Sequence, residues 1–227
     1  MYSPPIRLLV GAAAFAPLAA LAHGVSSRDA GFVAGVEGVQ FLPFVYLGAK
    51  HMVTGYDHLL FLAGVIFLLG RLKDVVVYAS LFALGHTITL LGAVLLGLQA
   101  NAYIVDAIIG LSVVYKGFEN IDGFRHLAWR LDPRGAVFGF GLVHGLGLAT
   151  KLQDLRLSAN GLAANLVGFN LGVELGQLAA LSVMVLLFAG WRNTRSFQPA
   201  VVPANIALMA AGFMLFGYQL AGYWLPS

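Results

Sequence analysis

From Val53 to Trp224 the sequence is a succession of long apolar runs divided by short breaks, and no other feature constrains the fold as much. The runs cover residues 53–70, 75–98, 102–121, 134–150, 161–189 and 200–224. A helix needs roughly 20 apolar residues to cross a hydrocarbon core of ~30 Å, and only structures that satisfy their own backbone hydrogen bonds can cross it. Each run is about that long. The chain therefore reads as an all-α integral membrane helical bundle with about six transmembrane helices, and residues 36–52 form a short apolar helix before the first. Composition agrees: 59% of residues are hydrophobic, 10% are charged, and mean hydropathy is +0.85. No basic patch for nucleic acid is visible, so the surroundings implied are membrane lipid.

The first stretch, MYSPPIRLLVGAAAFAPLAALAHG, carries one arginine, a short apolar run interrupted by Pro17, and the small-residue pattern Ala20-Leu21-Ala22. It reads as a cleaved secretory signal peptide over residues 1–22. Residues 23–227 are then a single polytopic membrane domain whose mature chain begins at His23, on the periplasmic side of a bacterial inner membrane. Loop charges give an independent check. With the N-terminus outside, the first, third and fifth loops are cytoplasmic, and these hold Arg71 and Lys73, then Arg125, Arg130 and Arg134, then Arg192 and Arg195. That distribution follows the positive-inside rule.

Ionisable groups inside these runs are costly unless they pair or face a polar cavity. The sequence nevertheless places His51, Asp57 and His58 at the outer part of the first span, and His86 in the middle of the second. Asp106 falls near the outer end of the third, His144 in the fourth and Glu174 in the fifth. Six helices can thus converge four histidines and three carboxylates. The chain has no cysteine, so any bound metal has nitrogen and oxygen ligands.

Spacing sharpens the picture. Asn170, Glu174 and Gln177 follow an i, i+4, i+7 rhythm on one face of a helix, and His86 shares a face with Thr89. His144 is flanked by Gly139, Gly141, Gly145 and Gly147, which allow neighbouring backbones to approach closely. His51 and His58 are two turns apart, about 10 Å along an unbroken helix, which is too far for one metal held at roughly 2 Å from each nitrogen. Either Thr54-Gly55 breaks the helix and folds His51 back, or the two histidines serve successive positions on a path.

Blander roles compete for some of these residues. A lone intramembrane histidine such as His86, with Thr87 and Thr89 beside it, serves simply as interhelical glue, and Asn165, Asn170 and Gln177 taken singly are packing polars. Seven ionisable groups at similar depth do not fit that description. Lys116 and Glu119, at i and i+3, pair with each other and stay outside the metal site. His23 would become an N-terminal residue after cleavage, where its amino group and imidazole can chelate a cation.

The stretches HMVTGYDHLLFL, with its His-x5-Asp-His pattern, LFALGHTITL, AIIGLSVVYKGFEN, FGFGLVHGLGLA and FNLGVELGQ resemble, in this order, the HupE/UreJ family of bacterial membrane proteins. The resemblance runs from about Gly48 to Gln177 and on to the C-terminus. Members are regarded as nickel or cobalt permeases and are encoded near nickel-enzyme maturation systems. The resemblance therefore implies transport of nickel or cobalt, a maturation system as partner, and roles for His51, Asp57, His58, His144 and Glu174. The chain departs from the smaller permeases, whose second signature has two nearby histidines and a glutamate. Here FGFGLVHGLGLA offers His144 alone, and Glu174 follows a helix later.

The residues themselves imply a metal site of His51, Asp57, His58, His86, His144 and Glu174, with Asp106, Asn170, Gln177 and Thr89 in support or along a path. Imidazoles and carboxylates without sulfur suit divalent nickel, cobalt, zinc or copper(II). The same cluster would serve an integral-membrane metalloenzyme, in which a held metal activates water or oxygen, or a membrane metal chaperone.

Overall fold

The structure is a computed structural model and describes residues 31–33, 35–126, 131–154 and 158–225. The signal segment, its cleavage site and His23 lie outside the described residues. Among the described residues the regular structure is helical: α1 (Phe41–Thr54), α2 (Tyr56–Ile66), α3 (Leu72–Leu96), α4 (Ala102–Asn120), a 3-10 turn (Gly123–His126), α5 (Pro133–Asp154), α6 (Leu162–Arg192) and α7 (Phe197–Trp224). α3, α5, α6 and α7 are long and apolar enough to cross a membrane. α4 has 19 residues and carries Asp106, Lys116 and Glu119. α2 has only 11 residues, about 16 Å of helix.

The helices are organised as three pairs, each held together by glycine. On α1 and α6, Gly48 faces the backbone of Phe169 and Val173, while Gly168, Gly172 and Gly176 face Phe41, Val45 and Ala49. Residue numbers rise together, so this pair is parallel. On α3 and α5, Gly85 faces Phe138 and Leu142, Gly141 faces Phe82, and Gly145 faces His86 and Thr89. This pair is parallel as well. On α4 and α7, Gly110 faces Gly212 and Phe216, Gly117 faces Asn205 and Met209, and Gly222 faces Tyr103, an antiparallel register. At most of these glycines an added Cβ would come closer than 3 Å to a neighbouring atom. Small residues are the means of association where lipid tails remove the hydrophobic drive between helices.

α2 sits among the three pairs. It packs on α4 and touches α1, α3, α6 and α7, and its buried residues are His58, Phe61, Leu62, Gly64, Val65 and Ile66. α2 continues in the direction of α1, because its last turn meets the end of α6: Arg192 donates to the carbonyl oxygens of Ile66 (2.6 Å) and Phe67 (3.0 Å). Those donors satisfy carbonyls that a helix end leaves open. Asn120 Nδ2 donates to Gly64 O (2.8 Å) and Asn205 Oδ1 (2.9 Å), tying α2, α4 and α7 together. The Lys116–Glu119 ion pair forms on α4, as its spacing predicts.

The boundaries of the first segment differ from the sequence reading. A span at 53–70 after a helix at 36–52 was expected; the break falls instead at Gly55, between α1 and α2. Hydropathy is blind to a one-residue break. The polar residues Lys50, His51, Asp57 and His58 also straddle that break, which pushes the apolar window toward the C-terminus.

Candidate functional site

Gly55 makes the site possible. It leaves the helical region at φ −76°, ψ 99°, yet the hydrogen-bond ladder bridges it, from Gly55 N to His51 O (2.9 Å) and from Leu59 N to Gly55 O (3.0 Å). A Cβ at Gly55 would lie 3.1 Å from His51 O, Asp57 Oδ1 and His58 Nδ1. A larger residue there would require these neighbours to give way by a few tenths of an ångström. It brings the His51 and His58 rings to 5.1 Å between centroids, about half the axial separation in an unbroken helix. Of the two alternatives left open by the sequence, the broken helix is the one observed.

His58 stands at the centre. Its ring lies 4.9 Å from His144 and 5.9 Å from His86. All three are buried, at 3%, 1% and 0% exposure for His58, His86 and His144. Two rings are oriented through Nδ1. Asp57 Oδ1 accepts from the His58 backbone N–H (2.8 Å) and lies 2.8 Å from His58 Nδ1. His144 Nδ1 lies 2.8 Å from Phe140 O. A carbonyl can only accept, so His144 carries its proton on Nδ1 and presents a lone pair at Nε2, and the carboxylate imposes the same tautomer on neutral His58. The Nε2 atoms of His58, His86 and His144 are buried and make no hydrogen bond among the described residues.

That pattern, with Nδ1 fixed and Nε2 left over, is the one that metal-binding histidines show. The rings are packed edge to face, at interplanar angles of 70° to 80°. Among the described residues no three of these side chains are spaced to clasp one metal ion as they stand. Holding one ion among three of them would require these side chains to move.

Below the imidazoles lies a layer of phenylalanine. Phe61 follows His58 by three residues on the descending α2, while Phe82 and Phe140 precede His86 and His144 by four on the ascending α3 and α5. All three therefore fall on the same side. Phe61 lies 5.4 Å from Phe82 and 5.6 Å from Phe140, and 5.3 Å from the His144 ring. The sequence reading missed this floor, although the fixed offsets from the histidines were there to be read.

The remaining candidates lie around the cluster. Asp106 pairs with Lys151 at 2.8 Å near the opposite side of the histidines from the phenylalanines. Thr89 Oγ1 donates to Leu142 O (2.7 Å) and so binds α3 to α5. Asn170 accepts from Thr87 (3.0 Å) and donates to Glu174 Oε1 (3.1 Å). Gln177 donates to Ala79 O (3.1 Å), while its Oε1 is buried without a partner among the described residues. Glu174 is exposed and, with Gln177, Val76, Ala79 and Ala83, lines a cavity of about 460 Å³ between α3 and α6. The structure thus gathers His51, Asp57, His58, His86 and His144, and sets Glu174 outside that group.

Comparison with known families agrees with the motifs. A family model described as HupE / UreJ protein matches residues 27–227. The chain belongs to the HupE/UreJ family. No curated protein and no solved structure matches it. In this HupE/UreJ chain the His-x5-Asp-His motif is the helix break itself: His51 lies before Gly55, and Asp57 and His58 lie in the first turn after it.

Proposed function

We propose that this HupE/UreJ chain carries a divalent transition-metal ion, nickel or cobalt before zinc or copper(II), across the bacterial inner membrane. In this reading six segments cross, the first being the broken pair α1 and α2, and the mature N-terminus is periplasmic. The observation that carries the proposal is the set of buried, unpartnered imidazole Nε2 atoms on His58, His86 and His144, two of them with Nδ1 held by an acceptor. Discontinuous helices with binding groups at the break are how transporters expose polar groups at depth. Neutral imidazoles suit borderline divalent ions.

The ion descends past Asp57 to His51, His58, His86 and His144, and the carboxylate reduces the cost of stripping its water. Phe61, Phe82 and Phe140 close the straight way onward. Glu174 and Gln177 line the α3–α6 groove, Asn170 donates to Glu174, and this side of the bundle gives the ion a way round the phenylalanines. The sequence holds no nucleotide-binding loop, so the ion's own gradient, a proton gradient or a partner supplies the drive.

The test is accumulation of radioactive nickel and cobalt in cells expressing the protein. His58→Ala and Asp57→Asn are expected to abolish accumulation at unchanged protein level in the membrane. Normal accumulation in both variants refutes transport through this site. Intact accumulation with loss of a membrane-bound oxidation or hydrolysis puts a metalloenzyme in its place, and metal bound without accumulation puts a chaperone there.

A further inference from the structure

We infer that the groove between α3 and α6 holds one acyl chain of an anionic glycerophospholipid, whose phosphate sits on Arg71 and Lys73 at the groove's lower mouth. The inference goes beyond the transport reading and needs only a chain that spans a membrane. The groove exists because neither helix turns its glycines to the other: Gly85 of α3 faces α5, and Gly168, Gly172 and Gly176 of α6 face α1. Two hydrogen bonds join the helices, from Thr87 to Asn170 (3.0 Å) and from Gln177 to Ala79 O (3.1 Å). From Ala79 down to Leu72 no hydrogen bond between them forms among the described residues, and the cavity of about 460 Å³ opens along this stretch. Val76, Leu178 and Leu186 on its walls are exposed, so it opens on the outer side of the bundle, toward lipid.

Its length matches one leaflet. Leu72, Val76 and Ala79 on α3 and Leu181, Val185 and Leu186 on α6 make the walls apolar from the mouth up to Gln177. The nine residues from Gln177 to Leu186 give about 13.5 Å of helix, against about 15 Å for half of a ~30 Å hydrocarbon core. An acyl chain that enters at the mouth therefore ends below Gln177 and Glu174, and those two residues stay with the ion.

The mouth supplies the selectivity. Leu72 lines it, and its chain neighbours Arg71 and Lys73 are both exposed. Arg71 precedes Val75 by four residues and Lys73 precedes Val76 by three, spacings that share a helix face. Both therefore continue the wall of the groove past its apolar end, whereas Asp74 lies about 200° round the helix from Leu72. Neither Arg71 nor Lys73 is in an ion pair with another described residue. α3 also begins here without a side-chain cap, and a helix start favours an anion. Arg192, at the same end of α6, is committed to Ile66 O and Phe67 O. A zwitterionic head would bring an ammonium of the same sign as Arg71 and Lys73, so the mouth selects a head whose only charge is negative.

Native mass spectrometry of the full-length protein, released from nonionic detergent after incubation with phosphatidylglycerol or phosphatidylcholine of the same acyl chains, tests this. The parent protein is expected to retain one phosphatidylglycerol per chain, at about tenfold lower lipid concentration than phosphatidylcholine. Arg71→Gln/Lys73→Gln should erase that preference, and Arg125→Gln, which removes a charge from another loop, should keep it. Val76→Trp fills the groove and should abolish retention of both lipids. All of these positions are exposed, so the variants should run with the parent protein on size exclusion. Equal retention of the two lipids by the parent, an undiminished preference in Arg71→Gln/Lys73→Gln, or full retention by Val76→Trp each overturns the inference. A parent protein that is dimeric without lipid, with Val76→Trp monomeric, also overturns it and gives the groove to a second copy of the chain. Nickel accumulation plays no part in this measurement, so the failure of either reading leaves the other standing.

Discussion

Gly145→Ala tests the close α3–α5 contact that sets His86 against His144. A Cβ there would run into His86 O and Thr89 Oγ1. Gly139 lies on the same helix, and a Cβ at that position meets nothing within 4 Å. Both substitutions gain the same helix propensity, up to about 1 kcal/mol, so this contribution cancels when the two variants are compared. What remains at position 145 is overpacking, about 1–3 kcal/mol, and loss of the bond from Thr89 to Leu142 O, about 1 kcal/mol. Gly145→Ala should therefore be ~2–4 kcal/mol less stable than Gly139→Ala.

At ~2–4 °C per kcal/mol for a chain of this size, the midpoint of thermal unfolding should fall by roughly 5–15 °C relative to Gly139→Ala. Tryptophan fluorescence of the purified protein reads it, under identical detergent conditions. Equal midpoints for the two variants would refute the argument, since the two helices would then not be in backbone contact at Gly145.

Two further substitutions test the lower half of the bundle. Lys116→Met leaves the Glu119 carboxylate without its partner and should cost ~2–3 kcal/mol, less than a fully buried pair because Glu119 keeps 20% exposure; Lys116→Met/Glu119→Gln should recover most of the folded protein, measured by size-exclusion of a fluorescent fusion. Asn120→Ala removes the donor to Gly64 O and Asn205 Oδ1 and should cost about 1–3 kcal/mol, read as loosened α2 amides in hydrogen exchange.

The apolar runs were legible because crossing helices announce themselves by length, and the histidines because imidazoles among leucines have few uses. The helix break was legible as one of two alternatives: a single metal held by both His51 and His58 required it, successive positions on a path did not, and Thr54-Gly55 was the place that could supply it. Other features were hidden for physical reasons. Glycines at 168, 172 and 176 look like many small residues in a membrane helix until their partners at 41, 45 and 49 are known. Lys151 falls just past the apolar run 134–150, and only the fold brings it across 45 residues to Asp106. Glu174 shares a helix face with Asn170 and Gln177, as its spacing predicts, but periodicity says which residues share a face and not which neighbour that face meets.

The histidine cluster makes an energetic demand that separates a ligand site from a structural one. Three buried Nε2 atoms without partners among the described residues each cost ~1–3 kcal/mol, so together they remove a large part of the ~5–15 kcal/mol by which a typical domain is stable. A residue kept for packing would not be left in that condition. His144→Leu deletes one such atom and keeps a side chain of similar bulk against Phe61 and Phe82; Phe140 O retains its place in the helix ladder. In the presence of a chelator this variant should unfold at the same temperature as the parent protein or higher. Nickel at a hundred times its dissociation constant should then stabilise the parent by ~2.7 kcal/mol and leave His144→Leu almost unmoved. If His144→Leu instead unfolds well below the parent without metal, the imidazole is holding the bundle together, and the unpartnered nitrogens lose their meaning as ligands. If both proteins respond equally to nickel, the ion binds elsewhere. Only a site that the protein stabilises poorly by itself, and that an ion completes, gives the first pair of results.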